Sequence, residues 1–414
     1  MPLRLDLRRR TSPADTLRRA AAAEADAVTQ IQIELCEIAA PVDAEALRGQ
    51  AVARWLRSSG YEVQHDAIGN VIARRPGRSA GPAVALSAHL DSVFPAHQPV
   101  RVARPGEPDP YRATQSDGDT RVPAGELRAP GIADDAAGLA AMIAFARAFA
   151  LADPATERDL LFVATVGEEG RGDLKGARHF FAQPPGRELH AFITLDHPQA
   201  NVIVHRGVAS RRYLVEFNGP GGHSWGHAGR YNPALTLADA ARRIGAIATP
   251  EQPRTTCNIG VMAAGQSVNA IPERASMQID LRSEDPRALD TLDIAVQQAI
   301  RDAQDASAAN LPEAGSSLQR IGERPGGATP ADSPLVSAAR KALAAEGFSP
   351  KLAAASTDAN AAMAAGVPAI CLGWGGRSGD QHSLREWFAP EGRERTLAVV
   401  ARLVGGLAGL HDSP

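Results

Sequence analysis

Mostly apolar runs of strand length alternate with longer amphipathic stretches over the first half of the chain. The runs at 83–88, 159–166 and 191–195 predict strands that are buried on both faces. The stretches at 44–58 and 138–151 lie among them and have the spacing of helices. This alternation is typical of an α/β fold, in which a mostly parallel sheet carries flanking helices.

The order of elements changes about halfway along the chain. A strand, a helix, two strands, a helix and a strand are predicted in turn at 211–217, 234–248, 256–262, 274–282, 286–305 and 317–321. This β-α-β-β-α-β order is the split, ferredoxin-like motif. A helix at 334–346 and a strand at 368–373 then resume the first pattern. The sequence therefore predicts one α/β domain, made of 1–208 and 324–414, which is interrupted by a smaller α+β domain at 209–323.

The arginine-rich start of the chain contains no apolar run. A secretory signal needs about 7 to 15 apolar residues after its charges, whereas here Asp15, Glu24 and Asp26 follow. A first helix is expected at Leu17–Ala39, ending before Pro41. The sequence also has no uninterrupted apolar stretch of the about 18 residues that a spanning helix needs. We therefore expect a cytoplasmic protein that does not enter a membrane.

Charge and cysteine content exclude several classes of function. Lys and Arg number 44 against 47 Asp and Glu, a net charge of −3, so no nucleic-acid partner is expected. The three cysteines, Cys36, Cys257 and Cys371, are odd in number and far apart. They fit neither a disulfide framework nor a cysteine-rich zinc site. We expect a globular protein of a reducing compartment.

Five segments place acidic or histidine side chains after predicted strands or before a predicted helix. They are AHLDS (88–92), GIADDAAG (131–138), VGEEG (166–170), LDHP (195–198) and GDQHS (379–383). Each segment alone fits an exposed polar pair or a helix cap. Because the carboxyl ends of parallel strands meet at one edge of the sheet, however, the five are expected to gather there.

Together these segments offer a ligand set for divalent metal ions, which consists of His89, Asp134, Glu169, Asp196 and His382. Two imidazoles and three carboxylates suit Zn²⁺, with Co²⁺ or Mn²⁺ as substitutes. Five side chains hold two ions if one carboxylate bridges them. Asp91 is expected to accept a hydrogen bond from the ring nitrogen of His89 that does not face the metal. Glu168 is then expected to act as a general base.

The order of motifs along the chain resembles that of a known enzyme family. The matching segments are SAHLDSVFP (87–95), PGIADDAAGLA (130–140), VGEEGRGDLKGA (166–177), GPGGHSWG (219–226), GQSVNAIPERASMQIDLRS (265–283), GERPGG (322–327), STDAN (356–360) and GDQHSLREWF (379–388). The ordered set is similar to the M20 family of metallopeptidases, and most nearly to its peptidase T-like, tripeptidase branch. The resemblance implies a zinc-exopeptidase-like catalytic domain and a lid domain at 209–323 through which the chain forms a homodimer.

The resemblance also implies how the metal ligands are shared between the two ions. It places His89, Asp134 and Asp196 around one metal ion. Asp134 bridges to the second ion, which Glu169 and His382 complete.

Further roles follow from the same resemblance. Glu168 matches the general base, and Asp91 matches the carboxylate behind the histidine ligand. His223 matches a lid histidine that reaches the scissile carbonyl, often from the neighbouring subunit, and a donor there would stabilise the oxyanion. Asn269 and Arg282 match lid positions that hold the substrate or its carboxylate, a task suited to the arginine fork.

Two positions depart from the family pattern. Many relatives have a lysine after the paired acids, whereas Ala136 and Ala137 stand there in this chain. His227 follows His223 by four residues, and its role is open between a surface imidazole and a substrate contact.

The expected function is cleavage of the amide bond of short peptides, as by an aminopeptidase or tripeptidase. A metal-bridged hydroxide would attack the carbonyl while Glu168 serves as general base. The alternative is an amidohydrolase of N-acyl or N-carbamoyl amino acids with the same metal site. Two other classes are a serine hydrolase that uses Ser224 and a metal-binding protein without catalysis. The string GHSWG (222–226) fits GxSxG but lacks a strand directly before and a helix directly after it.

Overall fold

The computed structural model describes residues 12–112, 121–308 and 311–410. The arginine-rich start before residue 12 and His411 lie outside these residues. Within them, the helices are α1 (Pro13–Ala23), α2 (Ala25–Glu37), α3 (Ala46–Ser58), α4 (Ala136–Ala152), α5 (Lys175–Phe181), α6 (Pro233–Gly245), α7 (Pro286–Ala308), α8 (Pro334–Ala345), α9 (Ala359–Ala364) and α10 (Arg393–Leu407).

The strands in the described residues range from ten residues to two or three residues in length. They are β1 (Glu62–His65), β2 (Val71–Arg75), β3 (Val84–His89), β4 (Leu127–Arg128), β5 (Leu160–Thr165), β6 (Ala191–Leu195), β7 (Val202–Gly207), β8 (Ala209–Asn218), β9 (Gly222–His223), β10 (Thr255–Ala264), β11 (Ala270–Ile271), β12 (Arg274–Ser283), β13 (Gly315–Arg324), β14 (Gly327–Ala328), β15 (Lys351–Ala355), β16 (Ala369–Leu372), β17 (Arg377–Gly379) and β18 (Trp387–Ala389).

The main sheet confirms the predicted α/β class. Its strand order is β1-β2-β5-β3-β6-β16-β7-β14, and β15 pairs with β7. The central strands β5, β3, β6 and β16 are parallel, while β2 and β7 join them antiparallel. All residues of the four central strands are buried, because helices cover both faces. One apolar core lies against α1, α2, α3, α4, α8 and α10, and a second lies against α5 and α9.

The first predicted helix is in fact two helices, separated at Glu24. The Glu24 carboxylate accepts a hydrogen bond from Nε of Arg147 on α4 at 2.8 Å. Helix α1 packs against α10 and α4, whereas α2 packs mainly against α4. The interruption allows the two halves to follow different partners, which the continuous hydrophobic spacing of the sequence does not reveal.

The chain divides into two compact units, one made of Met1–His205 and Ala328–Pro414, the other of Arg206–Gly327. The smaller unit has an antiparallel sheet of order β10-β12-β8-β13. Helices α6 and α7 pack on one face of it around a separate apolar core. This is the strand order of the ferredoxin-like motif. The assignment of this unit as a lid and dimerisation domain stays a prediction.

The parallel strands fix where the chemistry of the larger unit is placed. Strand β3 ends at His89, β5 ends just before 166–170, and β6 ends just before Asp196. These carboxyl ends lie side by side because β5, β3 and β6 are neighbours in register. In the part of the chain that the structure describes, no helix is both long and apolar enough to cross a membrane.

Candidate metal centre

His89 is the buried residue around which the candidate site is arranged. Its Nε2 lies 3.0 Å from Oδ1 of Asp134 and 3.9 Å from Oδ1 of Asp196. Its Nδ1 lies 3.1 Å from the main-chain oxygen of Asp91 and 3.6 Å from the Asp91 carboxylate. The ring therefore presents Nε2 to the acidic cluster and is oriented through Nδ1.

The carboxylate of Asp91, which lies 3.6 Å from Nδ1 of His89, has a second task besides the expected one. It accepts the backbone N–H of Glu168 at 2.8 Å and that of Glu169 at 2.7 Å. Asp91 is fully buried, so these two hydrogen bonds satisfy both of its oxygens. Its closest contact with the His89 ring is made by the main chain instead. Asp91 thus orients the two glutamates as much as the histidine.

The two adjacent aspartates that precede α4 have separate roles. Asp134 Oδ1 faces His89, and Asp134 Oδ2 lies 3.1 Å from Nε2 of His382. Asp135 is buried and caps α4, because its Oδ1 accepts the N–H of Gly138 at 3.0 Å. Its Oδ2 accepts the backbone N–H of His89 at 2.9 Å. The carboxylate between the two imidazoles is therefore that of Asp134, and Asp135 is the cap.

The remaining predicted ligands and the predicted base converge on the same place. Oε1 of Glu169 lies 2.8 Å from Nε2 of His382, the imidazole that also faces Asp134. Ligand atoms of His89, Asp134 and Glu169 lie within 4.8 Å of one another, as do those of His89, Glu168 and Asp196. All five predicted ligand residues and Glu168 thus form one cluster in the larger unit.

Charge interactions across the cluster shift several pKa values. Burial alone would raise the pKa of Asp134, but hydrogen bonds with His382 and His89 hold it well below its usual range. The contacts with Asp134 and Glu169 raise the pKa of His382 to about 10. Burial raises the pKa of Asp196 well above its usual value, and the charges of Asp134 and Glu168 add to this. The cluster therefore holds more carboxylates than its two imidazoles can compensate.

The cluster fits a pair of divalent cations. A buried carboxylate without a counter-charge is costly, and cations would balance the excess of acids here. The two oxygens of Asp134 face two different imidazoles, which is the arrangement that a bridging ligand requires. Mixed imidazole and carboxylate donors suit zinc and related metals rather than copper or iron–sulfur clusters.

Two predicted site residues lie together in the smaller unit. Strands β9 and β11 pair so that His223 lies opposite Ala270, and the N–H of Ser224 donates to the carbonyl of Asn269 at 3.0 Å. His223 and Asn269 line one cavity of about 760 Å³. The Nδ1 of His223 accepts the N–H groups of Trp225 and Gly226 at 3.2 and 3.3 Å. The ring proton is therefore on Nε2, which is left as a donor.

His227 acts on the backbone beside that histidine. Its Nδ1 accepts the N–H of His223 at 3.0 Å, which the sequence alone left open. Ser224 follows a two-residue strand, turns occupy residues 224–229, and α6 begins only at Pro233. The strand-turn-helix setting of a serine nucleophile elbow is thus not formed at Ser224.

Arg282 lies apart from the other two predicted site residues of the smaller unit. Its Nε donates to Oδ2 of Asp280 at 2.7 Å. Arg274, at the start of β12, lines the cavity with His223 and Asn269. Arg282 is eight residues further along this strand, which is roughly 26 Å at about 3.3 Å per residue.

Glu386 is a site residue that the sequence reasoning missed. It is fully buried and accepts N–H groups of the loop that carries Asp134, at 2.8 to 2.9 Å. Burial raises the pKa of Glu386 to about 8, and the charge of Asp134 adds to the increase. The available signal was an acidic residue beside the apolar pair Trp387 and Phe388, four positions after His382.

A model of peptidase family M20/M25/M40 matches residues 85–405, which is more than half of the chain. The chain belongs to this family. Membership confirms the resemblance that the ordered motifs predicted.

Curated members of the M20/M25/M40 family that match this chain share only about a quarter of their aligned residues with it. A probable carboxypeptidase of Aspergillus terreus is 26% identical over 295 residues, which is 65% of this chain and 63% of the relative. The chain spans between about half and two thirds of the length of such relatives.

Two solved structures have the same fold. The aminopeptidase PepT from Bacillus cereus is 20% identical, with a TM-score of 0.73 over 93% of this chain and 99% of that one. The YXEP protein of Bacillus subtilis, a dinuclear metal binding peptidase of the M20 family, is 16% identical, with a TM-score of 0.67 over 94% and 99%.

Proposed function

We propose that this chain is a dinuclear-metal aminopeptidase that acts on short peptides, as a tripeptidase does. The observation that carries the proposal is the position of Asp134, whose two oxygens face His89 and His382 at 3.0 and 3.1 Å. Family membership and the fold shared with an aminopeptidase and with a dinuclear peptidase support it.

The proposed metals are two Zn²⁺ ions, for which Co²⁺ or Mn²⁺ can substitute. His89, Asp134 and Asp196 would hold one ion, and Asp134, Glu169 and His382 the other. When bound, such ions polarise the scissile carbonyl and acidify water.

Glu168 supplies the proton transfer in this proposal. Its side chain is buried and lies within 4.8 Å of donor atoms of His89 and Asp196. The N–H of Glu168 is fixed by Asp91 at 2.8 Å, so its backbone is held close to the ligands. Glu168 takes a proton from the attacking water and passes it to the departing amine.

His223 supplies a hydrogen bond to the oxyanion in this proposal. Because Nδ1 accepts two backbone N–H groups, Nε2–H is the free donor of the ring. Replacing His223 with Ala should lower kcat by about 10²- to 10³-fold, as loss of one oxyanion donor does. Metal content, measured by atomic absorption, should not change. His227→Ala, which removes the acceptor for the N–H of His223, should cost less than His223→Ala. Equal loss of bound metal and activity in His223→Ala would contradict the role.

The distance between Arg282 and His223 within the smaller unit supports a homodimer in which each active site takes residues from both chains. A tripeptide spans about 10 Å, which is well short of the roughly 26 Å along β12 between the cavity of His223 and Arg282. With both groups on one substrate, as the family resemblance implies, Arg282 would come from one chain and His223 and Asn269 from another. Mixing His223→Ala with Glu168→Ala under demonstrated subunit exchange should restore about a quarter of the wild-type activity, since one site in four of such a mixture is intact. No recovery would contradict sharing.

Four related compounds distinguish the proposed activity from its alternatives. Chelator-stripped protein is assayed with and without added Zn²⁺, Co²⁺ or Mn²⁺. An aminopeptidase releases alanine from Ala-Ala-Ala and from its C-terminal amide, but not from N-acetyl-Ala-Ala-Ala. A carboxypeptidase, the activity in the names of the fungal relatives, cleaves the acetylated peptide but not the amide. An amidohydrolase releases alanine from N-acetylalanine. Activity that survives stripping and is lost in Ser224→Ala would contradict the metal site.

A further inference from the structure

The loop that carries Asp134 is held by a buried glutamate from a distant part of the chain. Oε1 of Glu386 accepts the N–H groups of Ala133 and Asp134 at 2.8 and 2.9 Å, and Oε2 accepts that of Gly131 at 2.9 Å. One carboxylate therefore satisfies three backbone donors within four residues of a turn.

The main chain around Glu386 extends this contact. The Glu386 carbonyl accepts the N–H of Ala129 at 3.2 Å. Trp387 pairs with Arg128 and Phe388 with Leu127 in the β18–β4 ladder. The segment 386–388 is therefore hydrogen-bonded at several points to the segment 127–134.

A second side chain also holds the same loop. Nε2 of Gln32, on α2, donates to the carbonyl of Ile132, and Oε1 of Gln32 accepts a hydrogen bond from Arg393. Ile132 and Ala133 are also buried in an apolar cluster with Trp374. The backbone that precedes Asp134 thus has little freedom to rotate.

We propose that Glu386 is a positioning residue that sets the direction of the Asp134 carboxylate, so that its two oxygens meet two metal ions. This inference rests on the proposed function. Asp134 and His382 are 248 residues apart in sequence, and both their loops are attached to Glu386, one by hydrogen bonds and the other by four residues of chain. Glu386 thereby couples the bridging ligand to the second imidazole, although it touches neither metal nor substrate.

The Glu386→Gln substitution tests this role with the least change in shape. Glutamine retains one acceptor oxygen, and its NH₂ group would face an N–H of the loop. Substitutions of residues behind metal ligands typically cost about 10- to 100-fold in metal affinity. The expected loss is of this size and falls mainly on the second metal equivalent. Glu391→Gln is the matched control, since the Glu391 side chain is 77% exposed and pairs with Arg377 at the surface.

Stripped protein is titrated with Co²⁺ while its visible absorption is followed, and a competing chelator gives the two affinities. Thermal unfolding of the stripped proteins is measured in parallel. Two results together support the role. The Glu386→Gln protein binds its second Co²⁺ equivalent with about 10- to 100-fold lower affinity and an altered spectrum, and the stripped variant unfolds near the wild-type temperature. Glu386→Asp, which keeps the charge but is one methylene too short to reach three N–H groups, is measured in the same way if the Gln variant does not fold.

Unchanged Co²⁺ affinities and spectrum in the Glu386 variants would overturn the positioning role while leaving the proposed function intact. An equal weakening of both equivalents together with a lower unfolding temperature would also overturn it, because Glu386 would then only stabilise the fold. If the wild-type protein does not bind two equivalents of any divalent metal and cleaves no peptide, the proposed function fails, and the inference fails with it.

Discussion

Glu168→Gln is expected to lower kcat for a short peptide by about 10²- to 10⁴-fold, which is the usual contribution of general acid–base catalysis. Glutamine has nearly the same shape but cannot take a proton from water at neutral pH. Because the N–H of residue 168 donates to Asp91 from the backbone, the loop should keep its conformation. The metal content of the purified variant should match that of the wild type.

The measurement that decides this prediction is metal content beside kcat. Glu168 lies within ligand distance of His89 and Asp196, so the geometry alone also permits it to bind a metal. Loss of one equivalent in Glu168→Gln would make Glu168 a ligand and contradict its role as base. Glu188→Gln, at an exposed glutamate of the same unit, is the control and should retain both activity and metal.

The second large effect is expected for Asp134→Asn. The carboxylate contacts both imidazoles, and an amide offers only one oxygen as a ligand. We expect the variant to lose the second metal equivalent, with an affinity more than about 100-fold lower, beyond the range for residues behind the ligands. Peptide hydrolysis should fall to the background rate, because the two-metal activation of water is lost.

Asp135→Asn provides a control one residue away. Asp135 caps α4 and accepts the N–H of His89, and asparagine is also a good N-cap. This variant should retain both metal equivalents and differ mainly in thermal stability. If isothermal titration shows the same loss of metal in both variants, the assignment of Asp134 as the bridging ligand is wrong.

Much of the candidate cluster could be predicted from the sequence, because one rule of topology acts on four of its six members. His89, Glu168, Glu169 and Asp196 follow parallel strands, and the carboxyl ends of such strands lie at one edge of the sheet. Strand and helix boundaries in the inserted unit were likewise predictable, since alternation and helical spacing are local properties of the sequence.

Contacts between side chains and distant backbone could not be predicted in this way. The hydrogen bonds from Glu168 and Glu169 to Asp91, and those from the Asp134 loop to Glu386, depend on which N–H groups lack a partner after folding. That information is absent from hydrophobic periodicity. The division of the first helix at Glu24 has the same origin, because it depends on α4 and α10 rather than on local spacing.

Adjacent acids present a related problem. Asp134 and Asp135 are the same residue type on the same loop, and the sequence permits either to cap α4. Only the direction of each side chain separates a ligand from a cap. Arg282 is a case in which the partner is close in sequence. Asp280 lies two residues away on the same face of β12 and accepts a hydrogen bond from Arg282, but the sequence analysis did not predict this pair.

The position of β16 has a consequence for how the protein is made. This strand lies between β6 and β7, although those two follow each other in the chain and the inserted unit is synthesised before β16. A nascent chain therefore carries two apolar strand edges that stay unpaired until Ala369–Leu372 leaves the ribosome, and such edges favour aggregation. The inserted unit, which is continuous in sequence, can fold during this interval. Under the proposed function, metal uptake would also need His382 and would therefore be among the last steps of biogenesis.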